Sequence, residues 1–234
     1  MKLRRSRIVL SLYALFIAGS VATVFAVDGV VLIDQTRALA GNVTPGDAPG
    51  FPVTITQPGS YRLSGNLNVP ADAFGIVIQS DHVTIDLNGF RIAGEGGGLG
   101  IATLNNFNVG LPLSGIAVGN GTITHFVTAV LLVSSPDRGA AEVQQIRAID
   151  NSTNGIIVGG PAIITGNIAV GNALGISAGP NATISGNTSS RNSQEGFFVV
   201  CPATVVGNAA TSNPVPFATL NVGCTFANNT PATP

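Results

Sequence analysis

From residue 151 onward, apolar residues come in runs of three or four, each closed by glycine, proline or asparagine. One stretch reads GIIV at 155–158, AIIT at 162–165 and IAV at 168–170, with GGP and GN between the runs. The next reads ISA at 176–178, ATIS at 182–185 and NTSS at 187–190. The one after reads FFVV at 197–200, ATVV at 203–206 and NAAT at 208–211. Short runs rich in β-branched residues and bounded by turn formers predict strands. Glycine interrupts them too often for helix, and neither a leucine framework nor a 3.6-residue apolar period is present.

These stretches repeat. Asn151, Asn172, Asn192 and Asn213 recur at intervals of 21, 20 and 21 residues, and Asn167, Asn187, Asn208 and Asn229 at 20, 21 and 21. Gly155, Gly175 and Gly196 form a third series at 20 and 21. A fixed period of this length marks a solenoid, whose units bury their apolar faces only by stacking on one another. Three short strands per period of 20–21 residues predict an all-β fold, a parallel β-helix whose coils lie about 4.8 Å apart. The asparagines read as structural ladders. They are expected at bends that need left-handed backbone, and amide-to-amide hydrogen bonds are expected to run along the stack.

Residues 27–70 do not follow the repeat and are expected to cap the N-terminal end of the core. Coil-like content is expected over 71–229, with surface insertions near 94–112 and 134–141 and a frayed tail at 230–234. Residues 1–26 read as a signal peptide: a basic start, an apolar run at 8–18, and cleavage after Ala26. The protein is accordingly expected to be secreted or periplasmic.

Without that leader the chain keeps six arginines, no lysine and all eleven acidic residues, a net charge near −5. That balance excludes a nucleic acid as partner and an anionic membrane surface after leader cleavage. A monomer is expected. Cys201 and Cys224 are 23 residues apart, about one coil, and in an exported protein this spacing predicts a disulfide across adjacent coils.

The Gly-Asn coils, together with VTIDLNG at 83–89, resemble secreted right-handed β-helix repeat proteins of the pectin-lyase-like superfamily over roughly residues 75–229. The resemblance implies the fold. It also raises an enzymatic alternative, because members include lyases that hold Ca²⁺ with acidic side chains and use an arginine as base, and hydrolases with clustered aspartates. The polar candidates here are Asp81, His82, Asp86, Arg91, His125, Arg147 and Asp150, with Asp86, Arg91 and Asp150 as the catalytic candidates. Asp86 alternates with Ile85 and Leu87 and is expected to point outward. Any ligand site is expected where the insertion at 94–112 overhangs Asp86 and Arg91.

Against catalysis, Arg191 and Glu195 are the only charged residues over 151–229, so the regular coils cannot assemble the paired carboxylates of glycoside hydrolysis. Beyond the leader there is no tryptophan and one tyrosine, Tyr61, which leaves little aromatic platform for a sugar. The reading is therefore an exported non-catalytic β-helix with a structural or weak binding role toward a glycan or cell-envelope component. No cofactor is expected, and Ca²⁺ enters only with the alternative, a polysaccharide lyase or hydrolase acting on an acidic glycan.

Overall fold

The computed structural model describes residues 29–104, 110, 112–133 and 141–231. The expected signal peptide, and parts of both insertions, lie outside the described residues. Of the described residues 53% are strand and 3% helix, wound as a parallel β-solenoid of about seven turns.

Three faces run along the stack. Face 1 carries Val31–Ile33, Gly59–Leu63, Val83–Asp86, Ala162–Thr165, Thr183–Ser185, Thr204–Val206 and Thr225–Ala227. Face 2 carries Leu67–Asn68, Arg91–Ala93, Ile168–Val170, Thr188–Ser190 and Ala209–Thr211. The longer strands Ala117–Thr124 and Ala141–Ile149 bend from face 1 into face 2. Face 3 is a separate sheet of eight strands, from Val53–Ile55 to Val215–Leu220. All strand pairing in the two sheets is parallel, with residues about one period apart in register, such as Ile164↔Ile184 and Ile184↔Val205.

Alternation then fills the interior. Ile85, Val118, Val143, Ile164, Ile184 and Val205 stack inward on face 1, and Ile101, Val130, Ile156, Ile176 and Phe197 on face 3. Each is buried, so every coil contributes one rung of an elongated apolar core.

The stack begins earlier than the sequence predicts. Val53–Ile55, Gly59–Leu63 and Leu67–Asn68 fall in the expected cap, yet they pair with Ile76–Ile78, Val83–Asp86 and Arg91–Ala93. The closing element is the shorter segment 34–50. Its helix Gln35–Ala40 is N-capped by Asp34, whose Oδ1 accepts from Arg37 N–H at 2.8 Å. Ala38 and Val43 are buried in the core. The buried Asp47 carboxylate fastens the segment by accepting from Val43 N–H at 3.0 Å and Thr54 N–H at 2.7 Å. This first coil has Gly65-Asn66 at its corner, where Asn66 Oδ1 accepts from Arg91 N–H at 2.9 Å, but it stands well before the regular 20–21 residue series and is not joined to it.

The asparagines differ from expectation in one respect. None of the eight has a positive φ; the left-handed residue is the one before each. At the corner between faces 1 and 2 that position is Gly166, Gly186, Gly207 and Asn228, with φ of 54–66°. The asparagine that follows turns inward, where its amide spans three coils. Asn187 Oδ1 accepts from Asn167 N–H at 2.8 Å and Asn167 Nδ2 at 2.9 Å. Asn187 Nδ2 donates backward to Ile164 O at 2.8 Å and onward to Asn208 Oδ1 at 2.9 Å. The second ladder repeats this arrangement through Asn151, Asn172, Asn192 and Asn213. Among the described residues no buried side-chain polar atom lacks a partner.

Gly155, Gly175 and Gly196 recur for a different reason, the close approach of successive coils. A Cβ on Gly196 would lie 2.6 Å from Pro216 O, and one on Gly175 2.6 Å from Gly196 O. Cys201 and Cys224 form a disulfide with Cα atoms 5.0 Å apart, joining the last two turns.

Candidate functional site

The side chains singled out in the sequence do not converge on a single site. Asp86 points outward on face 1, in register with Arg62, and Arg62 Nε donates to its Oδ2 at 2.8 Å. Its Oδ1 accepts from Asn88 N–H at 2.7 Å and Asn120 Nδ2 at 3.0 Å. Partial burial alone would raise the Asp86 pKa, but these hydrogen bonds and the arginine charge outweigh it and hold the carboxyl below its ordinary range. Asp86 is thus a structural tie between coils.

Arg91 stands around the corner on face 2, in the outward row Arg91–Thr122–Arg147. It therefore forms no site with Asp86. Asp81 serves the backbone: its Oδ1 accepts from Ser114 N–H at 2.8 Å. His82 occupies a left-handed corner with φ of 57°. Of the expected insertion, residues 105–109 and 111 lie outside the described residues. Leu99–Thr103 is itself a strand of face 3, and Leu104 packs with Val77 and Ala102 in a small cluster apart from the main core.

Asp150 and His125 lead to a different place. In-register pairing of Ala93, Thr124, Ile149, Val170 and Ser190 stacks the residues that follow them: Gly94, His125, Asp150, Gly171 and Arg191. From His125 onward this row is left-handed, with φ of 61°, 53°, 73° and 53°, and Ser212 continues it at 58°. Beside it runs an open cleft of about 530 Å³ at the corner between faces 2 and 3. Glu95, His125, Asp150, Ser152, Arg191 and Ser193 supply its polar groups, over Phe126 and the ladder residues Asn151 and Asn172.

The backbone here is informative. At the other corner the left-handed positions are Asn88, Asn120, Gln145, Gly166, Gly186, Gly207 and Asn228, glycine or asparagine in all but one, residues that adopt that conformation readily. The cleft row instead places His, Asp, Arg and Ser there, each at a cost on the order of 1 kcal/mol. Only Gly171 conforms, and it leaves room for its neighbour: a Cβ at 171 would collide with Asp150 Oδ1, so the carboxylate lies over the next coil.

His125 has a defined tautomer. Thr124 Oγ1 donates its single proton to Ile149 O at 2.6 Å, so its 2.8 Å contact with His125 Nδ1 requires Nδ1–H to be the donor. Nε2 of the neutral ring is then an acceptor. The cleft offers acceptors at Glu95, His125 and Asp150 and one cationic donor at Arg191. Asp150 and Arg191 are two turns apart, about 10 Å along the stack. Such a row suits a hydroxyl-rich, extended ligand lying along the solenoid.

Among the described residues, no three His, Cys, Asp or Glu side chains group closely enough to hold a metal ion, and no helix is long and apolar enough to cross a membrane. Sequence reasoning named Asp150 and His125 but missed Glu95 and Arg191 as their neighbours. The signal was present one residue before each asparagine of the 151 series. No protein-family model, no curated protein and no solved structure matches the chain.

Proposed function

We propose that this chain is an exported, non-catalytic β-helix of the pectin-lyase-like type, with a structural or weak binding role in the cell envelope or outside the cell. Its contact point for a glycan or other envelope component is the corner cleft. The observation that carries the reading is the row His125, Asp150 and Arg191, three functional side chains held on left-handed backbone where glycine would fit at lower cost. The disulfide supports an oxidising compartment. The net acidity of the chain beyond residue 26 disfavours nucleic acid and anionic lipid as partners.

The test is retention on immobilised neutral and acidic glycans. The protein is retained, and the double variant Asp150→Ala with Arg191→Ala is not, with unchanged thermal melting. Failure of the unmodified protein to bind any glycan or envelope fraction, or equal binding by the variant, overturns the proposal.

One observation favours the enzymatic alternative. His125, oriented by its Nδ1–H bond to Thr124, shares the cleft with Asp150 one coil on, an arrangement able to exchange a proton with a bound sugar. That reading predicts cleavage of an acidic glycan that is lost in His125→Gln.

A further inference from the structure

Hydrogen-bonding character changes along the corner cleft. Its acceptors come first: Glu95, His125 and Asp150 stand on three successive coils. Gly171 leaves the fourth coil bare, where the Asp150 carboxylate lies over it, and Arg191 closes the row on the fifth. The row covers four rises of the solenoid, about 19 Å.

The charges are unequal. Two carboxylates face one guanidinium. His125 Nε2 is a third acceptor on the neutral ring, because Nδ1–H is committed to Thr124. Ser152 and Ser193 can each donate or accept. Arg147, three residues before Asp150, points outward on face 2 and does not line the cleft. Among the described residues the one ion pair is Arg62–Asp86, so neither Glu95 nor Asp150 is neutralised by an arginine.

A ligand bearing a carboxylate on every sugar would set like charge against Glu95 and Asp150 and find a single counter-charge, at the far end. The net acidity of the chain beyond residue 26 adds to that repulsion. Hydroxyl groups meet no such barrier, and they donate to acceptors repeated at each rise. One rise, about 4.8 Å, is close to the length of a pyranose unit in an extended chain.

We infer that the cleft selects a neutral, extended glycan over a polyuronate, one sugar to each coil, and that Glu95 and Asp150 set the choice. The inference rests on the corner cleft being the contact point for a glycan. Hydroxyls of successive sugars donate to Glu95, His125 Nε2 and Asp150, and Arg191 donates to a sugar oxygen at the other end. This selection runs against the enzymatic alternative, whose substrate is acidic.

Retention of the full chain on immobilised β-glucan, mannan and polygalacturonate, at low and at moderate ionic strength, tests it. At low salt a neutral polymer should be held about tenfold more tightly than polygalacturonate, and the gap should narrow as salt screens the carboxylates. Glu95→Gln combined with Asp150→Asn removes both charges at exposed positions, and Asn suits the left-handed backbone at 150. With unchanged thermal melting, this variant should bind polygalacturonate about tenfold better than the unmodified chain. Tighter retention on polygalacturonate, a preference indifferent to salt, or one that the double variant leaves unchanged overturns this inference while the cleft keeps its binding role. Retention on none of the three polymers overturns both.

Discussion

Asn172 Oδ1 accepts two hydrogen bonds from Asn151, one from its backbone N–H at 3.0 Å and one from its Nδ2 at 3.0 Å. One side-chain oxygen thus replaces two partners that the corner backbone cannot supply, and the same device recurs in every regular coil. Removal from mid-ladder leaves several buried polar groups unpaired at once. Asn187→Ala strands Asn167 N–H, takes one of the two partners of Asn167 Nδ2 and the side-chain donor to Ile164 O, and opens a void, so a loss of about 3 kcal/mol is expected in denaturant unfolding. Asn213→Ala, at the half-exposed end of the other ladder, should lose only about 1 kcal/mol. Equal costs at the two positions would show that the ladder is not cooperative with the core.

The glycine series predicts a contrast between close approach and backbone hand. A Cβ at Gly175 would lie 2.6 Å from Gly196 O and 2.7 Å from Asn192 Nδ2, both buried and fixed. Gly186 has φ of 63° and nothing within 4 Å of its would-be Cβ. Gly175→Ala should therefore cost well over about 2 kcal/mol, while Gly186→Ala should cost only the left-handed penalty of roughly 1–2 kcal/mol. Thermal melting of the two variants decides, and a milder effect at 175 than at 186 would contradict the packing account.

What the sequence revealed follows the repeat closely. Asn151 and its partners, at 20–21 residue intervals, carried the coil length, the three-strand turn and the disulfide register. Where side chains stop repeating, legibility stops too. Residues 53–68 form a full coil by backbone pairing, but their Gly65-Asn66 corner is separated from the regular series by coils of uneven length, so they read as cap. The cleft row was hidden because Glu95, His125, Asp150, Gly171 and Arg191 share a place in the stack and no residue type. Asp86 and Arg91, five residues apart, looked like neighbours. The corner at 88–90 turns them onto different faces, and Arg62, a coil away, is the true partner of Asp86.

The Asp86 cluster predicts a pH dependence with a definite sign. The folded-state pKa is depressed, so the pair contributes stability above the ordinary carboxylate pKa of 3.8 and loses it as pH falls through the lower folded value. Because Arg62 and Asp86 are partly exposed, the contribution is under about 1 kcal/mol. Carboxyl-carbon titration by NMR should give Asp86 a midpoint below 3.8, rising in Arg62→Ala. A midpoint at or above that value in the unmodified protein would remove the basis for calling the pair stabilising.

Reduction of Cys201–Cys224 should act locally. The bond closes a loop of 23 residues, for which chain-entropy arguments give about 3 kcal/mol. Hydrogen exchange should accelerate over 215–227 on reduction while the coils before residue 190 keep their protection. Two titratable thiols in the native, unreduced protein would contradict the linkage itself.

The central claim is that the polar side chains of this solenoid hold coils together or bind, and do not catalyse. Its most direct test is a turnover assay of the purified protein on polyuronates and neutral glycans, with and without Ca²⁺, following unsaturated and reducing ends. The account predicts no release above background on any substrate under either condition. Reproducible release that is abolished by His125→Gln or Asp150→Ala, with folding intact, would contradict it.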